Sequence, residues 1–108
     1  MTRFPGEEVL LSNGARPFII DADYITVSGL AFANGKSIVL GYDAPKRQGH
    51  RLVDSTFTGD IGFDAVGIHG DDHVVAGNVC RVSSSTVGTQ GHCFYVSYGS
   101  RNRLLHNI

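Results

Sequence analysis

Charged side chains are scarce in this chain, at 18% of its 108 residues against roughly 25% in an ordinary soluble domain. Nine basic and ten acidic residues leave a formal charge of −1. The long-range field that gathers nucleic acid or an anionic membrane surface is therefore missing, and neither is expected as a partner. No apolar run approaches the roughly 18 residues of a membrane span. The opening MTRFPGEEVLL lacks the basic-then-apolar order of a secretory signal, so a soluble chain is expected and its compartment stays open. Cysteine is limited to Cys80 and Cys93, too few for a disulfide scaffold and without the CxxC spacing of a metal knuckle. No 3.6-residue apolar pattern of helical length occurs, which excludes a helical bundle. What is plentiful is glycine, 14 residues of it against 3 prolines, in a length that suits one domain.

The glycines punctuate a repeat. YITVSGLAF (residues 24–32) returns as HRLVDSTF (50–57), HVVAGNVC (73–80) and NRLLHNI (102–108). Aligned, they give an apolar column Val27, Leu52, Val75, Leu104, a column Leu30, Ser55, Asn78, Asn107, and a column Phe32, Phe57, Cys80. A second run recurs between them: SIVLGYD (37–43), AVGIHGD (65–71) and CFYVSYG (93–99). Alternation puts Ile38 and Leu40, Val66 and Ile68, Phe94 and Val96 on one face, with Val39, Gly67 and Tyr95 on the other. PFIID (17–21) reads as this second strand in an earlier coil, and VLL (9–11) as an irregular lead-in.

Short strands that recur once per coil with the same residue types in register stack in parallel. The reading is an all-β parallel β-helix of about four coils over residues 15–108, preceded by a lead-in or partial cap over 1–14. Stacked amides in the Asn78 and Asn107 column suit such a ladder. An antiparallel sandwich also has short strands, but it leaves the aligned columns unexplained.

YITVSGLAFANG, HVVAGNV and NRLLHNI resemble coils of the right-handed parallel β-helix superfamily of pectate lyases and polygalacturonases. RPFIIDADYITVSGLAF is similar to the way coils open in the alginate lyase and chondroitinase B group. The resemblance implies the right hand of the helix and a polysaccharide as ligand or substrate. Phe63-Asp64-Ala65, Gly70-Asp71-Asp72 and Gly91-His92-Cys93 are each similar in part to the polygalacturonase signature, but Asp64 and Asp71 share one coil here where the family spreads them over several.

Stacking turns sequence offsets into distances of about 4.8 Å between neighbouring coils. An offset of 28 aligns Lys36, Asp64 and His92, a base, a carboxylate and an imidazole suited to proton abstraction beside a uronate carboxylate or to general acid work. Solvated turn residues are the plainer account. Asp43 and Asp71, with Asp72 beside them, bring carboxylates about 5 Å apart, as for Ca²⁺ ligands or retaining glycosidases; acidic caps on strand ends explain them more simply. Ca²⁺ is the one cofactor these residues offer. Lys46, Arg47 and Arg51 surround the longest inter-coil loop and would meet an acidic sugar. Tyr42, Tyr95 and Tyr98 offer stacking platforms for sugar rings, or a surface for a neighbouring subunit. His50 and His73 share a column that reads as a turn start preferring His or Asn for backbone hydrogen bonds, rather than as a zinc site. Cys80 falls inward and Cys93 outward, which speaks against a bridge.

A coil end exposes unpaired backbone groups. With the last coil incomplete at Asn107-Ile108, the expectation is a piece of a longer solenoid or a homo-oligomer. Two functions of different kinds follow. One is a short non-catalytic module that binds polysaccharide or assembles through its coil ends. The other is a carbohydrate-active enzyme of the lyase or hydrolase type using Lys36, Asp64 and His92, or Asp43 and Asp71 with Ca²⁺.

Overall fold

The computed structural model describes residues 9–12, 17–41, 47–61, 64–83 and 92–108. Among them are twelve strands and no helix: β1 (Val9–Ser12), β2 (Phe18–Ile20), β3 (Thr26–Ser28), β4 (Leu30–Ala33), β5 (Ile38–Leu40), β6 (Arg51–Val53), β7 (Thr56–Asp60), β8 (Asp64–His69), β9 (Val74–Ala76), β10 (Val79–Ser83), β11 (His92–Tyr98) and β12 (Arg103–Leu105). They form three four-stranded sheets, ordered β1-β4-β7-β10, β2-β5-β8-β11 and β3-β6-β9-β12, which we call sheets 1, 2 and 3. Every strand pairing is parallel. The chain visits the sheets in rotation, so it is a parallel β-solenoid. It makes about three turns, slightly fewer than the four coils counted from the sequence.

The register follows the repeat. Val27, Leu52, Val75 and Leu104 are successive partners in sheet 3, Phe32, Phe57 and Cys80 in sheet 1, and Ile38, Val66 and Phe94 in sheet 2. Val9 to Leu11 differ from the expected lead-in. They pair with Leu30 to Phe32 as the first rung of sheet 1.

Corners between sheets need a backbone that turns sharply, and left-handed residues supply it. Each strand of sheet 3 is flanked by two of them: Tyr24 and Gly29, Gly49 and Asp54, Asp72 and Gly77, Arg101 and His106 all have positive φ. The corners enclose a core of stacked apolar columns. Val27, Ile38, Leu40, Leu52, Phe57, Val66, Ile68 and Val75 are fully buried, and the rings of Phe32 and Phe57 stack 4.6 Å apart. Burying one such side chain contributes roughly 1.5–3 kcal/mol.

One pairing overturns an expectation. Cys80 and Cys93 form a disulfide that links β10 of sheet 1 to β11 of sheet 2. Strict alternation had set Cys93 outward, but alternation fails at the corner where β8 begins. There Ala65 and Val66 are both wholly buried although adjacent. His92 pairs with Asp64 and Phe94 with Val66, so Cys93 follows the Ala65 position and turns inward, within reach of Cys80.

Candidate functional site

Two polar columns run inside the corners of the solenoid. In the first, the Ile25 N–H donates to His50 Nδ1 (3.2 Å), the His50 N–H to His73 Nδ1 (3.0 Å), and the His73 N–H to Asn102 Oδ1 (3.0 Å). In the second, the Leu30 N–H donates to Ser55 Oγ, the Ser55 N–H to Asn78 Oδ1 and the Asn78 N–H to Asn107 Oδ1. Asn78 Nδ2 also donates to Leu52 O and to Asn107 Oδ1. His50 and His73 are therefore structural, as a turn-start column should be. Each accepts a backbone N–H at Nδ1, which leaves the proton of the neutral ring on Nε2. His73 Nε2 donates to His69 O, while His50 Nε2 has no partner among the described residues. Burial holds both imidazoles below the usual histidine pKa of 6.5.

The outward face of sheet 2 is where exposed chemistry collects. The corner that turns Ala65 and Cys93 inward turns their neighbours Asp64 and His92 outward. There His92 Nδ1–H donates to Asp64 Oδ1 at 2.8 Å across adjacent rungs. Lys36, the third residue of that column, stands in the turn after β4, where its N–H donates to Ala33 O; strand pairing starts two residues later at Ile38. The structure thus brings Asp64 and His92 together within the strands, with Lys36 in the turn just ahead of β5.

Along β11, Tyr95 follows. It pairs with Gly67, is 45% exposed, and its ring lies 5.4 Å from that of His92 at a tilt of 39°. Because Gly67 carries no side chain, His69 leans over it; a Cβ at Gly67 would stand 3.5 Å from His69 Nε2. His69 Nδ1 and the Ser97 hydroxyl share a hydrogen bond of 2.8 Å. This second pair was missed in the sequence, although the same offset of 28 that joins Asp64 to His92 also joins His69 to Ser97. The wall therefore presents an exposed aromatic ring between two inter-rung polar pairs.

The other expected site residues lie elsewhere. Asp71 Oδ1 accepts the Ser100 N–H at 2.7 Å. Asp72 is held by both arms of Arg101, at 2.7 and 3.0 Å, and this hydrogen bonding lowers its carboxyl pKa. Each carboxylate thus ties one coil to the next. Among the described residues no group of three or more His, Cys, Asp or Glu converges as a metal site. Arg47 Nε donates to Asp21 Oδ1, and Arg51 sits on β6 of sheet 3, on a different wall from Tyr95. Tyr98 pairs with His69 after a register shift beyond Val96. Tyr42, Asp43 and Lys46 lie outside the described residues.

No family model, curated protein or solved structure matches the chain.

Proposed function

We propose that the chain is a non-catalytic solenoid module that binds a polysaccharide on the outward face of sheet 2. The observation that carries this reading is Tyr95, exposed on the edge strand β11 and flanked along it by the Asp64–His92 and His69–Ser97 pairs. An exposed ring on a parallel sheet offers an apolar face to a sugar, and hydroxyl-rich ligands need donors and acceptors fixed beside it. The sheet supplies both without a conformational change, since each polar pair is locked across two rungs. The resemblance of the coils to the pectate lyase and polygalacturonase superfamily points the same way. A structural disulfide is kept in oxidising surroundings, which favours a place outside the reducing cytosol, where such polymers are met.

Calorimetric titration of the folded protein against a panel of polysaccharides tests the reading. Saturable binding that is lost in Tyr95→Ala is expected. Binding to none of them, or binding indifferent to Tyr95, would sink it.

The Asp64–His92 hydrogen bond favours a second reading, in which the imidazole acts as a general base of a lyase or hydrolase. New reducing ends or ultraviolet-absorbing unsaturated product from the same panel, abolished in His92→Ala, would carry that reading; turnover of no polymer would reject it.

We also infer that copies associate through exposed apolar side chains of β11 and β12. Val96 and Leu104 are 47% and 41% exposed there, in columns where Ile68 and Val75 one rung earlier are wholly buried. Sedimentation should show a self-associating species that Leu104→Arg returns to monomer, and a monomer at every concentration would reject the inference.

A further inference from the structure

We infer that the ligand of the Tyr95 wall is an extended, equatorially 1,4-linked glycan that lies along the solenoid axis, across the strands; this rests on the polysaccharide reading above and names its substrate class and its path. Parallel pairing stacks Ile19 on Val39, Val39 on Gly67 and Gly67 on Tyr95. Ile38, Leu40, Val66 and Ile68, which flank Val39 and Gly67 along their strands, are wholly buried, so alternation turns this column outward. Ile19 and Tyr95 are 44% and 45% exposed, and Val39 is half-buried between them. Apolar side chains exposed singly mean little, but a contiguous row of them marks an interaction site.

Gly67 completes the row. It lies outside the left-handed region that the corner glycines occupy, so turn geometry is not its reason, and a glycine inside a strand often marks a place of close approach. Here the space is taken by the His69 ring, whose Nε2 and Cδ2 stand 3.5 and 3.8 Å from the point a Cβ would occupy, with Val39 Cγ2 3.6 Å from the same point. Ile19, Val39, the His69 ring and Tyr95 therefore form one strip, three rung spacings or about 14 Å long.

A straight strip selects a straight ligand. In an extended 1,4-linked chain whose ring substituents are all equatorial, each ring turns C–H faces outward and keeps its hydroxyls at the rim. Successive rings then meet the apolar strip in line, while rim hydroxyls reach toward the Asp64–His92 and His69–Ser97 pairs beside Tyr95. A coiled α-linked chain curves away from the strip after the ring on Tyr95. The class is thus set by linkage geometry, whatever charge the sugar carries.

The test is titration calorimetry of the whole protein with cellohexaose, xylohexaose, maltohexaose and hexagalacturonate. Cellohexaose or xylohexaose should bind about tenfold more tightly than either of the other two. Tyr95→Ala should weaken that binding about tenfold. Ile19→Ser, three rungs away, should weaken it about fivefold and the same-shaped Val39→Thr about threefold, with circular dichroism showing each variant folded. Tyr95-dependent binding that is indifferent to both Ile19→Ser and Val39→Thr would overturn the path along the axis and leave the polysaccharide reading standing. Tyr95-dependent binding that prefers maltohexaose or hexagalacturonate would overturn the class and likewise leave that reading. Sedimentation altered by Ile19→Ser with glycan binding unchanged would assign the strip to a second copy and overturn the inference. Binding of none of the four overturns it too, and the polysaccharide reading falls with it if the wider panel is also refused.

Discussion

The imidazole of His50 lies face to face with that of His73, centroids 4.9 Å apart and planes 1° from parallel, each ring wholly buried and each accepting a backbone N–H from the coil before it. Protonating either Nδ1 would turn an acceptor toward a donor and place charge beside charge inside the core. Asp23 faces His50, and Asp71, Asp72 and His69 face His73, but burial outweighs the carboxylates and both rings titrate below 6.5. A group whose folded pKa is depressed binds fewer protons folded than unfolded. Its contribution to stability is thus complete above the unfolded value near 6.5 and is lost as pH falls beneath it, by at most about 1.4 kcal/mol per pH unit for each ring. The melting temperature should fall between about pH 6.5 and 5, before most carboxylates titrate. His73→Asn, which keeps the acceptor as Asn102 does, should flatten the profile. An unchanged melting temperature across that window would refute the account.

Asn78 is the fully buried amide of the second column, accepting from Ser55 N–H and donating to Leu52 O and Asn107 Oδ1. Asn78→Ala leaves a backbone donor and acceptor buried without partners. We expect a loss of about 2–4 kcal/mol in urea unfolding, against less than about 1 kcal/mol for exposed Arg103→Ala.

Cys80 and Cys93 lie 13 residues apart in sequence. Closing a loop near that length stabilises a fold by about 3 kcal/mol. The Cys80→Ser, Cys93→Ser double variant should lose about that much, and wild type under reductant should match it. A single variant that unfolds no earlier than wild type would show that the bridge adds nothing.

Gly67 and Gly70 sit three residues apart and should respond in opposite ways to a methyl group. At Gly67 a Cβ meets His69 Nε2 and Val39 Cγ2 at ordinary contact, 3.5 and 3.6 Å. At Gly70 φ is +102° and a Cβ would run into the carbonyl oxygen of Arg47. Gly67→Ala should therefore stay within about 1 kcal/mol of wild type while Gly70→Ala loses about 3 kcal/mol or more. Comparable unfolding midpoints for the two would contradict the corner geometry.

Much of the fold was legible because a solenoid converts a sequence offset directly into a neighbour. The Val27 to Leu104 column and the pairing of Asp64 with His92 both follow by subtraction. What subtraction cannot supply is direction at a corner. Two consecutive inward residues, Ala65 and Val66, break the alternation, and with it the placing of Cys93. Lys36 shared the right offset, but the turn after β4 keeps it out of the strand. His69 and Ser97 also shared the offset and went unread; the room that Gly67 leaves beneath the His69 ring is visible only in the structure. Val9 to Leu11 carry no repeated polar partner, so nothing in the letters separated a first rung from a lead-in.

The polar columns have a direction in time as well as in space. Ile25 and Leu30 bring only donors, and each later coil brings the side chain that accepts from the coil before it. A coil emerging during synthesis is therefore unfinished until its successor arrives, and closing that successor in the wrong register leaves two buried N–H groups stranded behind it at once. The spacing of five residues between the columns is kept at His50 and Ser55, His73 and Asn78, Asn102 and Asn107, so a slip of register that breaks one column breaks the other with it.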